Sequence, residues 1–567
     1  MAENLSSIGF SIMLDFCIFL VLFILFLIYR KLRSQNIELD LGDNEFKEPC
    51  MNEAKYSLSE ISWMIMKLSD LEISGYLGEW GFLYITLHRY ILYTLYCIGF
   101  FGLCFLIPIY YYGSSDSYKD LRQYSITHII KDDKGLILPA LTILLFSLVV
   151  YFFARLYYKK AVNSDFVILA DLPQDYVVYI SNIPRQYGPR DFSHKLHLWL
   201  KKTYGNGIMN VYVVPDYGEI IEDYKKYEEL SLKLSYLLHQ EQLGIEGTSQ
   251  KLSDEANPIN LIENIKSSME DIAKKIKENI NNSQNTNSGA AFVICCNRSL
   301  SRELAEPYTI RNDLFQSLDW HKNETPAPSD IIWENIGTPE NYHSYTGICI
   351  NLLFIVIFLV ILTPSSFSLY ISTGLEEIGV RSSIGNAIGM YLPSLFLLIY
   401  QQIILPRAVS YLVKLEKHYN SAEATNSCLK KYLFYLAFYI FLYPVLGLQF
   451  YQIIEMILTS ENDWKNELAT SINAAGEFFT IFMVHQAFIK NGLDLLILPK
   501  YAKVKAKSLR AYTEIEKALA YSADDFDFSM EFAVTLNTLI ICISFSIVYP
   551  IILIPSIIFF FIRVFAI

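Results

Sequence analysis

Apolar runs long enough to cross a bilayer recur along the whole of this sequence. A helix rises about 1.5 Å per residue, so roughly 20 apolar residues cross a hydrocarbon core about 30 Å thick. Such runs lie near Ile8–Tyr29, Leu87–Tyr111, Leu136–Tyr157, Tyr345–Ile371, Ile384–Ile404, Leu429–Leu458, Ile472–Leu498 and Phe532–Ile567. The last is roughly twice what one span needs. Pro550 and Pro555 break it in two, because proline removes a backbone donor and clashes with the preceding turn. About nine spans result. With 53% of its 567 residues hydrophobic, the chain is no ordinary soluble enzyme, and the expected fold class is a polytopic α-helical membrane protein. A formal net charge of −12 argues against general nucleic-acid affinity. The nine cysteines are scattered, several inside apolar runs (Cys17, Cys97, Cys104, Cys542), and show no metal-ligand spacing. They are expected to be buried apolar residues rather than a disulfide framework.

Basic residues orient the runs. Ile8–Tyr29 exceeds a signal-peptide core, lacks a basic leader, and is followed at once by Arg30-Lys31-Leu32-Arg33. It reads as a retained span with its C-terminal end in the cytoplasm and the N-terminus extracellular or luminal. Lys414, Lys417, Lys430 and Lys431 mark one cytoplasmic loop, and Lys500, Lys503, Lys505, Lys507 and Arg510 mark another. The expected organisation is a first span (1–33), a cytosolic segment with an amphipathic helix over Tyr56–Leu77 (34–85), two spans (86–160), a cytosolic domain (161–342) and a pore-forming membrane region (343–567).

The soluble insertion alternates element types. A strand pattern at Tyr176–Ile180 leads to a helix at Asp191–Tyr204 and a strand at Asn210–Val214. Charged helical stretches at Glu219–Leu243 and Pro258–Ile280 and an Asn/Ser-rich link, Asn281–Ser288, precede a strand at Ala290–Cys296. The order predicts an α+β domain shaped like an RNA-recognition (RRM-like) fold. Nucleic acid is not the expected partner. The segment Ser288–Cys295 lacks the basic residue and two of the three aromatics on which bases would stack.

One span carries more polar groups than the others. Ser471–Lys500 is apolar overall, yet it holds Glu477, His485, Gln486, Lys490 and Asp494. Ionisable groups are costly in hydrocarbon and normally face a bundle interior or a water-filled path. On a straight helix Gln486, Lys490 and Asp494, at i, i+4 and i+8, share one face. That face lines a path, or Lys490 and Asp494 pair and neutralise each other. Phe478, Phe482 and Met483 form an apolar constriction or pack in the core. Gly492 lets the helix bend or admits a close helix contact.

Asp330-Ile331-Ile332-Trp333-Glu334-Asn335-Ile336, directly before a span, looks like the D-I-x-W-x-N-L signature of the OSCA, or calcium-permeable stress-gated cation channel, family. Thr363-Pro364 resembles the T-P break in that span. Leu392-Pro393 and Leu405-Pro406 resemble the next helix, and Lys430-Lys431-Tyr432 the start of the one after. Phe478-Phe479 leading to Asp494, and the Pro550…Pro555 turn, complete the series. The resemblance implies an anoctamin-like bundle with a pore among the five spans that follow the cytosolic domain. It also implies gating by membrane tension or osmotic stress, with calcium, potassium and sodium as permeating cations and membrane lipids as partners. A homodimer through the cytosolic domain, as in many members, and a plasma-membrane home rather than an endomembrane are the matching expectations. Asp494 would then attract cations at the inner mouth, with Gln486 lining the path. Members have about eleven spans against about nine here, and the position of Lys490 is usually small or neutral in them. A fixed positive charge there would raise a barrier to cations. A lipid scramblase with Lys490 and Asp494 along a lipid-facing groove is the second reading, and a membrane-anchored scaffold the third. No phosphate loop, metal cluster or nucleophile–base pair marks an enzyme, and no cofactor is expected.

Overall fold

In a computed structural model the structure describes residues 9, 12–28, 70–112, 121–129, 137–162, 172–185, 187–242, 258–283, 286–305, 321–338, 340–360, 391–392, 394–442, 464–496, 506–508 and 526–566. Thr363, Pro364 and Pro393 of the family signature, and most of the expected surface helix Tyr56–Leu77, lie outside these residues.

The apolar runs fold as helices because only intrahelical bonding satisfies every backbone group in hydrocarbon. The chain opens with α1 (Ile12–Ile28). Next, α2 starts at Asp70, passes a π turn at Gly102–Leu106 and ends at Tyr112. Gly78 breaks its start, with φ +71°, a backbone state that glycine adopts without steric cost. The apolar span therefore begins at Leu77 rather than at the expected Leu87. Helix α3 is Ile137–Val162. Leu141, Leu144, Leu148 and Phe152 on it are exposed, the pattern of a helix facing lipid.

The inserted domain follows as β1 (Val177–Ser181), α4 (Pro189–Tyr204), β2 (Ile208–Pro215), α5 (Gly218–Gln242), α6 (Pro258–Ser283), β3 (Asn287–Cys295), α7 (Arg298–Ala305) and β4 (His321–Glu324). The strands form one antiparallel sheet in the order β2-β3-β1-β4, with Val293 opposite both Val178 and Val211. Phe192, Leu196 and Leu200, spaced i, i+4, i+8 on α4, bury against one face of it. Three strands match the sequence pattern. The fourth, His-Lys-Asn-Glu, carries no apolar alternation and escapes it. The long insertion between β2 and β3 is the pair α5 and α6, tied by Lys275 to Asp223 at 2.9 Å.

The rest of the chain returns to the membrane. Its helices are α8 (Glu340–Val360), α9 (Ser394–Leu415, with a π turn at Tyr400–Ile404) and α10 (Ser421–Tyr435, continuing as π helix to Leu442). Then α11 runs Trp464–His485, passes a π turn at Gln486–Lys490 and ends Asn491–Leu496. A hairpin closes the bundle, α12 (Phe528–Phe545) and α13 (Leu553–Ala566). Pro550 sits in the connecting 3-10 turn. Pro555 lies in the first turn of α13 and does not interrupt it, since backbone donors there have no intrahelical partner to lose. One apolar core joins the bundle, built from residues such as Leu95, Tyr110, Tyr400, Tyr432, Phe482 and Phe545. Among the described residues four helices are long and apolar enough to cross a membrane, and α1 and α13 are shorter apolar helices. The chain is a polytopic membrane protein. The expected burial of the cysteines holds for Cys295 and Cys542 but not for Cys17, Cys104, Cys296 and Cys349, which are exposed.

The second face of the sheet is spent on the junction with the membrane helices. Tyr179 stacks on Tyr419, ring centroids 4.7 Å apart, in the loop between α9 and α10. Ile331 bridges to Asn420, the Ile332 amide donates to the Tyr419 carbonyl (2.8 Å), and Asn335 Nδ2 donates to the His418 carbonyl (2.8 Å). The Asp330–Ile336 signature is thus the clasp between the inserted domain and the bundle. Trp333 extends it toward Phe292 of β3, at 6.3 Å.

Beneath the clasp lies a buried ion pair. Glu416 accepts from Lys431 Nζ (2.7 Å), Ser427 Oγ (2.7 Å) and His418 Nε2 (2.9 Å). Burial pushes its carboxyl upward, but these donors and the Lys431 charge outweigh burial and lower it from 4.5 to about 2. A carboxyl lowered by folding contributes stability above its unfolded value and loses it as pH falls through the folded one. Between pH 4.5 and 2 the junction is therefore expected to lose about 3 kcal/mol. Thermal unfolding of the purified protein across this range checks it. Glu416→Gln should flatten the acid limb, and an unchanged limb would contradict the assignment.

Candidate functional site

The polar span sits at the centre of the bundle. His485 and Gln486 are fully buried, and Lys490 is 2% exposed. The π turn over Gln486–Lys490 changes the register on which the sequence pattern relied. Its wider i→i+5 bonding displaces the one-face alignment of Gln486, Lys490 and Asp494. Lys490 Nζ lies 3.5 Å from Glu531 Oε2 on α12, while Asp494 pairs with Arg563 on α13. Arg563 also pairs with Glu531, and the Tyr84 hydroxyl of α2 donates to the same carboxylate at 3.4 Å. The alternative in which Lys490 and Asp494 neutralise each other is replaced by a four-charge cluster spanning three helices.

The π turns of α9 and α11 carry a band of buried amides. Gln486 Nε2 donates to Gln401 Oε1 at 3.1 Å, joining the π turn of α11 to that of α9. Gln486 Oε1, Gln401 Nε2 and Asn491 Oδ1 are buried without a hydrogen bond among the described residues, and the same holds for both amide atoms of Asn537 on α12. Leaving a buried polar group unsatisfied costs roughly 1–3 kcal/mol. A band of them inside an apolar bundle is suited to hydration or to passing ions. Phe482 and Met483 are fully buried in the adjoining core, and Phe478 packs at its edge. Glu477 is half-buried two turns before His485.

A second buried cluster holds α1 to the centre. Asp15 accepts from the Tyr391 hydroxyl (2.6 Å) and from His485 Nδ1 (2.5 Å), while His485 Nε2 meets Ser394 Oγ at 2.8 Å. Phe16 and Phe19 of α1 both meet Phe488, with ring centroids 5.8 Å away. A Cβ on Gly492 would lie 2.9 Å from Leu22 Cδ1. Gly492 therefore serves the close-contact alternative, letting α1 lie directly on α11.

The remaining signature residues are structural neighbours of the site. The Tyr432 hydroxyl donates to the Pro406 carbonyl at 3.3 Å, linking α10 to α9, and Lys431 holds Glu416. Sequence reasoning missed Asp15, Gln401, Glu531, Asn537 and Arg563. Asp15 and Arg563 are isolated ionisable residues inside apolar runs and Glu531 lies at the edge of one, and treating every intramembrane ionisable group as a site would have found these three.

Comparison with known proteins places these features. A family model described as "Calcium-dependent channel, 7TM region, putative phosphate" matches residues 343–567. A model described as "Cytosolic domain of 10TM putative phosphate transporter" matches 175–335, and one described as late exocytosis, associated with Golgi transport, matches 7–156. The three models, which between them match most of the chain, are those of the OSCA family. It is 24% identical over 257 residues to the osmosensitive cation channel TMEM63C of Danio rerio, covering 42% of this chain and 30% of that protein. It is 21% identical over 476 residues to the CSC1-like protein ERD4 of Brassica juncea (79% of this chain, 64% of that protein). The hyperosmolality-gated Ca2+ permeable channel 3.1 of Arabidopsis thaliana is 21% identical over 471 residues, again 79% of this chain and 64% of that protein. The chain thus spans less than two thirds of the length of these relatives.

Proposed function

We propose that this OSCA-family protein is a cation channel gated by membrane tension or osmotic stress, with calcium among the permeating ions. The observation that carries the reading is the band of buried amides on α9 and α11, where Gln401 and Gln486 meet inside the π turns at Tyr400–Ile404 and Gln486–Lys490. A π turn is a costly register that can revert to α-helix and rotate the side chains beyond it. Tension favours the state of larger membrane area, and a rotation that opens the band to water couples that area to conduction. Gln486 and Asp494 lie along the path, with Phe478, Phe482 and Met483 as its apolar closure. The finer expectations belong to the same reading: about nine spans in an anoctamin-like bundle, an RRM-like cytosolic domain, an outward N-terminus, a plasma-membrane home and a homodimer. The scramblase alternative needs Lys490 on a groove open to lipid, and its 2% exposure does not favour it. The test is a patch recording from liposomes holding only this protein. Stretch is expected to evoke a cation-selective current while inner-leaflet lipid stays protected. A silent patch, or lipid exchange without current, would sink the proposal.

A further inference from the structure

The charge cluster beside the amide band balances. Lys490 and Arg563 oppose Asp494 and Glu531, so four buried or half-buried charges sum to zero. The two cations are held differently. Arg563 makes close contacts with both carboxylates, which fixes its planar fork. Lys490 relies on one partner: among the described residues Glu531 is the carboxylate within 4.0 Å of Nζ, at 3.5 Å, and Nζ makes no hydrogen bond. Lysine is a point charge on a flexible stem, so its position follows the field rather than a directed bond. Lys490 also closes the π turn that Gln486 opens and immediately precedes Asn491, so it stands on the same stretch of α11 as two of the buried amides.

We propose that Glu531 determines the charge selectivity of the pathway by cancelling Lys490 beside the amide band. The inference rests on the channel reading above and adds the residue that reconciles a buried lysine with cation passage. Without the Glu531 charge the cluster carries one net positive charge. At an effective dielectric constant of about 20, a unit charge roughly 10 Å from an ion changes local ion concentration roughly tenfold. The sign favours chloride over potassium.

The experiment is the reversal potential of tension-evoked current under a potassium chloride gradient, in liposomes holding the full chain. Glu531→Gln is expected to raise relative chloride permeability roughly tenfold. Glu531→Gln with Lys490→Gln should restore the cation preference, a rescue that a merely structural defect would not show. Lys490→Gln alone should lower chloride permeability below wild type, a readout that survives if Glu531→Gln fails to fold. An unshifted reversal potential in Lys490→Gln, or a double variant that stays as anion-permeable as Glu531→Gln, would overturn the inference alone. A wild type that carries no tension-evoked current would overturn the channel reading and the inference together.

Discussion

Replacing Asp15 with alanine is expected to cost about 3–5 kcal/mol and to release α1 from the bundle. The carboxylate is fully buried and accepts from Tyr391, which precedes α9, and from His485 on α11. Removing it leaves both donors without their acceptor in a medium where water cannot replace it at no cost. The helix would then hold by its aromatic contacts with Phe488 and its packing over Gly492. Thermal unfolding of the purified protein measures the loss. Asp15→Ala with His485→Ala should fall short of the sum of the single effects by about 0.5–3 kcal/mol, as expected for direct partners. Additive effects would show that the pair contributes nothing as a pair.

Replacing Arg563 with methionine is expected to be comparably severe. Its guanidinium is 3% exposed and satisfies Asp494 and Glu531 at once. Breaking a buried pair from one side costs about 3–5 kcal/mol, because the opposite charge stays behind. Here two carboxylates stay behind, with Lys490 as the remaining cation of the cluster. Adding Glu531→Gln to Arg563→Met should therefore recover part of the lost thermal stability, although a second native residue is removed. A double variant no more stable than the single would argue that Arg563 acts through packing of its stem.

The membrane architecture was legible because hydrocarbon allows so few solutions. Among the described residues the spans Leu77–Tyr112, Ile137–Val162 and Phe528–Phe545 overlap runs marked by apolar length, Pro550 marks the turn after the last of them, and the strand–helix–strand start of the inserted domain follows its sequence period. Two classes of feature were not. β4 has a polar sequence and exists because β1 offers it an edge, information that no window of residues contains. The partner of Lys490 was misplaced for a similar reason. Counting in fours assumes a straight α-helix, and the π turn moves Lys490 onto a carboxylate 41 positions later, on α12. Asp494 and Gln486 stand out in the sequence as polar residues of one span, but Arg563 and Gln401, which receive them, stand on helices that read as plain apolar runs. The Asp330–Ile336 clasp shows the reverse. Its resemblance to a family signature was visible, while its mechanical place between sheet and bundle needed the fold.

The account turns on the amide band being the conduction path, and Gln486 is its most direct probe. With the native cysteines replaced, Gln486→Cys can be challenged by a positively charged thiol reagent while the membrane is stretched. Gln486 is fully buried in the structure, so unstressed protein is expected to resist modification. Under tension the reagent should reach the introduced thiol and progressively block the current. A tension-evoked current that persists in full, with that thiol unmodified after prolonged stretch, would contradict the account.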